Sequence, residues 1–190
     1  PNMLYVEFLR SPHAHAQIKG IDTKAAAGYP GVRAIAVGRD LPTPFGVLPV
    51  SSDENAIAVE KVRFIGEIVA AIAAETREAA REAARLIQVS YEPLRPFLTP
   101  DESLQVCLPD EQIHSHSRNG TNIHKVAQLS FNDPQGALSS SPHKVTARFR
   151  FAGVTHAFTE PHATVAVWNS DGSVTVISAT IFRAANLPLE

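Results

Sequence analysis

Seven consecutive apolar residues, Ile68-Val69-Ala70-Ala71-Ile72-Ala73-Ala74, restrict this chain more than any other feature. The run falls far short of the roughly 20 residues needed to cross a bilayer, and it fits a strand buried on both faces. Just beyond it, Thr76 opens a segment in which Ala79, Ala80, Ala83, Ala84 and Ile87 recur at helical spacing, with Glu78, Glu82 and Arg85 on the wet side. That pattern predicts an amphipathic helix capped by Thr76 and packed on a sheet.

The chain on either side reads as further strands and punctuation. Residues 3–10 and 17–21 are extended, separated by the Ser11-Pro12 break. Asp22 or Thr23 caps a short helix over Lys24–Ala27 that stops at Gly28 and Pro30, and Val32–Val37 is another strand. Pro42, Pro44, Gly46 and Pro49 make residues 40–49 a loop. After an extended 88–91, Pro93, Pro96 and Pro100 form a stiff exit from a first domain spanning 1–100. Residues 101–142, rich in Ser, Asn, Gly, His and Pro, read as a connector with at most a short strand over 127–131. Residues 143–190 are β-rich: strands are predicted over 144–151, Thr164–Trp168 and 173–178, the last two joined by Asn169-Ser170-Asp171-Gly172. Three such strands expose edges and bury too little apolar surface to stand alone, so this second unit reads as incomplete.

Charge and thiol content narrow the function classes. Seventeen Lys and Arg against nineteen Asp and Glu give a net charge of −2 without a dense basic run, which argues against a nucleic-acid partner. Cys107 is the only cysteine, so internal disulfides and Cys-rich iron–sulfur or zinc sites are excluded, and a reducing cytoplasm is the expected location. No signal-peptide pattern is present, and the opening Pro1-Asn2-Met3 reads as a piece of a longer chain. Neither a phosphate-binding loop nor a dinucleotide fingerprint occurs.

Two constellations carry candidate chemistry. His13-Ala14-His15 and His114-Ser115-His116, with His124 nearby, place imidazoles two residues apart, a spacing that shares one face of a strand. Without cysteine partners, and with the first pair in a Pro-containing turn, they are expected to be turn and linker residues, and no metal ligand is assigned. In Thr155-His156-Ala157-Phe158-Thr159-Glu160-Pro161-His162, a Glu between histidines could tune proton transfer, or the segment is a hydrogen-bonded strand entrance. No nucleophile is evident, so no catalytic residue is assigned; His156, Glu160 and His162 are candidates for positions near a cofactor.

Leu9-Arg10-Ser11-Pro12-His13-Ala14-His15-Ala16, followed by Ile21-Asp22-Thr23 and Pro30-Gly31-Val32, resembles the opening of the molybdenum-binding subunit of the xanthine dehydrogenase and aldehyde oxidase family. Val62-Arg63-Phe64-Ile65-Gly66-Glu67, the helix from Glu75, and Val89-Ser90-Tyr91-Glu92-Pro93-Leu94 are similar to that family's α/β hammerhead domain in order and spacing. Thr155-His156 through Glu160-Pro161-His162, then Val165-Ala166-Val167-Trp168, resemble the first strands of its cofactor-binding region. The fold so implied is α+β: an α/β hammerhead domain followed by an incomplete, β-rich start of the molybdopterin-binding region. Within the family, Gly46-Val47-Leu48-Pro49, Ser52-Asp53-Glu54-Asn55-Ala56 and the segment from Ile113-His114 to Asn122-Ile123-His124 look closest to the large subunit of 4-hydroxybenzoyl-CoA reductases.

The resemblance implies a component of an enzyme in which an iron–sulfur subunit and a flavin (FAD) subunit pass electrons to molybdopterin cytosine dinucleotide, for reductive dehydroxylation of an aromatic acyl-CoA. The family's glycine-rich cofactor loops and C-terminal catalytic glutamate have no matching positions, and Ile181 stands where the family pattern has Gln. The chain by itself is therefore expected to hold no cofactor and to supply scaffold and subunit contacts rather than catalysis. The alternative is a non-catalytic interaction module derived from the same family.

Overall fold

The structure is a computed structural model that describes residues 2–46, 53–105, 107–114, 117, 120–155, 157 and 159–179. The chain divides into two compact units, Pro1–Ser130 and Phe131–Glu190.

The first unit is organised around the apolar run. Strand β5 (Ile68–Ala74) lies between β1 (Tyr5–Arg10) and β3 (Val32–Val37) in an antiparallel sheet of order β1-β5-β3. β5 is paired along both edges, and Val69, Ala70, Ile72 and Ala74 are fully buried. Helix α1 (Lys24–Ala27) and helix α2 (Arg77–Leu86) pack together, and α2 also lies against β1 and β5. The Thr76 hydroxyl accepts a hydrogen bond from the Ala79 N–H at 3.1 Å, capping α2 as its sequence predicts. Ala83, Ala84 and Ile87 join Ala26, Ala70 and Ile72 in one core cluster, while Glu82 pairs with Arg85 on the exposed side.

Strand alternation sends Val69 to the opposite face from Ala70 and Ile72. There it packs with Ala16, Ala58 and Val62, beside a second antiparallel sheet of order β4-β2-β6. That sheet comprises β2 (Ala16–Asp22), β4 (Lys61–Val62) and β6 (Gln88–Pro93). The apolar run is thus covered on both faces, by helix on one and by the second sheet on the other.

In the second unit, helix α4 (Pro134–Ser140), following α3 (Pro100–Ser103) of the first unit, precedes the hairpin of β7 (Thr164–Trp168) and β8 (Val174–Ser178). Three expectations are corrected. Residues 144–151 form no strand, because no described segment pairs with them; Val145, Phe149 and Phe151 stay more than nine-tenths exposed. Strand propensity needs a hydrogen-bonded neighbour before it becomes a strand. Residues 127–131 likewise pair with no described segment, and α4 forms where a connector alone was expected. Its signal was present in the sequence: Asp133 caps the Gly136 N–H at 2.9 Å and Pro134 occupies the first turn. None of the described residues is in a helix long and apolar enough to cross a membrane.

Candidate functional site

Among the described residues of the first unit, the side chains with the most chemical content gather where residues 112–114 meet the segment between β4 and β5. That segment is itself held: the Ser11 N–H donates to the Glu67 carbonyl and the Gly66 N–H to the Ser11 carbonyl, both at 2.8 Å. Gly66 sits at φ +91°, a conformation that disfavours side chains, so the turn can reverse sharply ahead of β5. Arg63 then reaches across; its Nε donates to the Ile113 carbonyl at 3.0 Å and its Nη1 lies 3.6 Å from the Glu67 carboxylate. Burial pushes the Glu67 carboxyl upward against the opposing pull of Arg63. Lys61 adds a bond from its ammonium to the Gln112 carbonyl.

Residues 107–113 are bonded to residues 120–122. The Cys107 N–H donates to the Gly120 carbonyl at 2.9 Å, Gln112 Nε2 to the Thr121 carbonyl at 2.9 Å, and the Ile113 N–H to Asn122 Oδ1 at 2.7 Å. His114 and His124 therefore each lie close to the Ile113–Asn122 bond in the chain, and their ring centroids are 5.3 Å apart. A third group arrives from the loop after β3. Phe45 and Glu54 exchange both main-chain hydrogen bonds, at 2.8 and 2.9 Å, which fixes the residue next to Asp53. Asp53 Oδ2 accepts from His114 Nδ1 at 2.8 Å, and one potential ligand atom from each of Asp53, His114 and His124 lies within 4.8 Å of the others.

The other sequence candidates are dispersed. His13 sets its ring edge-on to Tyr91 at 4.8 Å between centroids, and His15 Nδ1 donates to the Arg95 carbonyl at 2.8 Å; neither joins the Asp53 cluster. His116 and His156 lie outside the described residues. Glu160 and His162 precede β7 and are exposed. Cys107 is buried, and burial pushes its thiol upward, which keeps it protonated. Sequence spacing named His114 and His124 but had no signal for Asp53, which lies 61 residues before His114.

Comparison with known proteins agrees with the architecture. The aldehyde oxidase and xanthine dehydrogenase a/b hammerhead domain matches residues 1–95, and the molybdopterin cofactor-binding domain matches residues 114–185. The nicotinate dehydrogenase large molybdopterin subunit of Eubacterium barkeri is 32% identical over 182 residues, covering 95% of this chain and 41% of that protein. Quinoline 2-oxidoreductase from Pseudomonas putida 86 superposes with a TM-score of 0.64 at 27% identity, over 94% of this chain and 23% of that one. The aldehyde oxidoreductase of Desulfovibrio gigas shares the fold, with a TM-score of 0.71 at 23% identity over 92% of this chain and 20% of that one. This chain thus spans less than half the length of these relatives. A hammerhead domain followed by the start of a molybdopterin-binding domain places the chain in the aldehyde oxidase and xanthine dehydrogenase family, as the N-terminal region of its molybdenum-binding subunit.

Proposed function

We propose that this chain serves as the N-terminal portion of a molybdenum hydroxylase, supplying scaffold and subunit contacts for an active site completed by other polypeptide. In this plan residues 1–100 are the hammerhead, 101–142 the connector and 143–190 the first part of the cofactor region. The observation that carries the reading is the order of the two family matches, hammerhead then cofactor-binding domain, along one chain. The chemistry of the described residues sets its limit. No described residue of the second unit is buried, and Glu160 and His162 face solvent, so these residues do not enclose a molybdopterin. They do not fit that group by themselves, and no catalytic step is assigned to them.

The finer proposal is reductive dehydroxylation of an aromatic acyl-CoA, as in 4-hydroxybenzoyl-CoA reductases. Its support is the likeness of the segments 46–56 and 113–124 to that branch. The proposed assembly includes an iron–sulfur subunit, an FAD subunit and the remainder of the molybdenum subunit, in a reducing cytoplasm. Co-expression of those parts, followed by measurement of molybdenum content and 4-hydroxybenzoyl-CoA reduction, tests it. Turnover is expected only when this chain is included, and Glu160→Gln, which keeps shape while removing charge, is expected to slow it. Equal activity without this chain would favour the interaction module; full activity and full molybdenum loading with Glu160→Gln would reduce residues 155–162 to strand packing.

A further inference from the structure

We propose that Asp53, His114 and His124 form a binding site for a divalent first-row transition metal of the zinc class, separate from the molybdenum chemistry of the family. The donor set is the first reason: two imidazoles and one carboxylate match zinc-class cations and are poorly suited to calcium or magnesium, which take oxygen ligands.

The second reason is His124. Both of its ring nitrogens are buried, and neither has a hydrogen-bond partner among the described residues. A neutral imidazole carries one N–H donor and one lone pair, and burying either without a partner costs its desolvation with nothing in return. A metal ion at the lone pair relieves one of these costs and explains why a polar ring lies beside a carboxylate and a second imidazole.

The third reason is pre-organisation. Each ligand is next to a fastened residue: Asp53 to Glu54, which pairs with Phe45; His114 to Ile113, which is held by Arg63 and Asn122; and His124 to Ile123, whose N–H donates to the Thr121 hydroxyl at 3.3 Å. Fixed neighbours lower the ordering cost of bringing Asp53 to two histidines far along the sequence. Coordination bonds of about 2.0–2.2 Å put adjacent tetrahedral ligands roughly 3.3 Å apart, so separations of 4.8 Å or less require only a modest contraction.

In the metal-free chain a proton on His114 Nδ1 bridges to Asp53. Coordination through Nδ1 displaces that proton to Nε2, or to solvent where both nitrogens carried one. Arg63 and Lys61 bond to the main chain just before His114, Arg63 at the Ile113 carbonyl and Lys61 at the Gln112 carbonyl, and Arg63 also pairs with Glu67. Three protein donors leave a coordination position for water, and His114, about one-third exposed, provides the approach from solvent. Metal binding here ties Asp53 to His114 and His124.

Calorimetric titration of the full 190-residue chain, first stripped with chelator, provides the test. Zn²⁺ is expected to bind at one ion per chain and raise the melting temperature, whereas Mg²⁺ and Ca²⁺ do neither. His124→Ala and Asp53→Asn should each weaken Zn²⁺ binding about tenfold or more, while His13→Ala should not. Far-UV circular dichroism of the metal-free variants separates ligand loss from unfolding. Should a variant fail to fold, zinc-edge X-ray absorption of the unaltered chain decides, with two imidazole nitrogens and carboxylate or water oxygen expected in the first shell. Absence of saturable Zn²⁺ binding, affinity unchanged in both His124→Ala and Asp53→Asn, or a first shell lacking two imidazoles would overturn the assignment.

Discussion

Replacing Gly38 by alanine should destabilise the first unit although the added group is a single methyl. Gly38 follows β3 directly and is buried; a Cβ built there would stand 2.3 Å from the Ala58 carbonyl oxygen and 2.9 Å from that of Ile57. Ordinary contact begins near 3.4 Å, so the Ala58 main chain must retreat by about 1 Å. It has little freedom to do so, because Ala58 is packed with Ala16, Val62 and Val69 and its N–H donates to the Ile68 carbonyl at 2.8 Å. Overpacking of this kind costs about 1–3 kcal/mol, and weakening the hydrogen bond adds about 1 kcal/mol, for a total of roughly 2–4 kcal/mol. For a unit of 130 residues that corresponds to a fall in melting temperature on the order of 10 °C. Thermal melts followed by far-UV circular dichroism measure it, with Gly20→Ala as the control, since nothing lies within 4 Å of a Cβ at Gly20 and its effect should stay within about 0.5 kcal/mol. A Gly38→Ala melt indistinguishable from that of Gly20→Ala would refute the close approach of the β3 end to residues 57–58.

Ile72→Asp places an unpaired carboxylate at a fully buried position of β5; several kcal/mol are lost from a reserve of about 5–15, so the first unit should unfold, and an unchanged melting curve would show that β5 is not the core. His15 carries a pH dependence: burial lowers its affinity for protons, opposed by its bond to the Arg95 carbonyl, so the unfolded chain takes up a proton near pH 6.5 before the folded one does. Its contribution is complete above that pH and is lost as pH falls through 6.5 towards the folded value, so urea unfolding should show stability declining over that window, with a shallower decline in His15→Gln.

Much of the first unit was legible because its signals are local. The Lys24–Ala27 helix and the Val32–Val37 strand follow from capping residues, glycine and β-branched content, and the Thr76-capped helix from alanines at helical spacing. The two-residue strand β4 was not legible: Lys61-Val62 has no pattern of its own and exists because Ala16 and Gln17 pair with it. The opposite error occurred at residues 144–151, where alternation is clear and no described partner completes a ladder.

The sequence alone determined that Ile68–Ala74 must be buried, since seven apolar residues in extended form leave no face for water, and that Ala80, Ala83 and Ala84 share one side of a helix. Those properties depend on period and hydrophobicity, which are encoded residue by residue. Tertiary structure decided which elements cover the run, with α2 on one face and Ala16, Ala58 and Val62 on the other. It also decided that Asp53 meets His114 and His124, because that meeting depends on the Phe45–Glu54 bridge and the Arg63–Ile113 bond. The Arg63–Ile113 bond spans 50 residues and the Asp53–His114 bond 61, and a long-range contact leaves no periodic trace in the residues that make it.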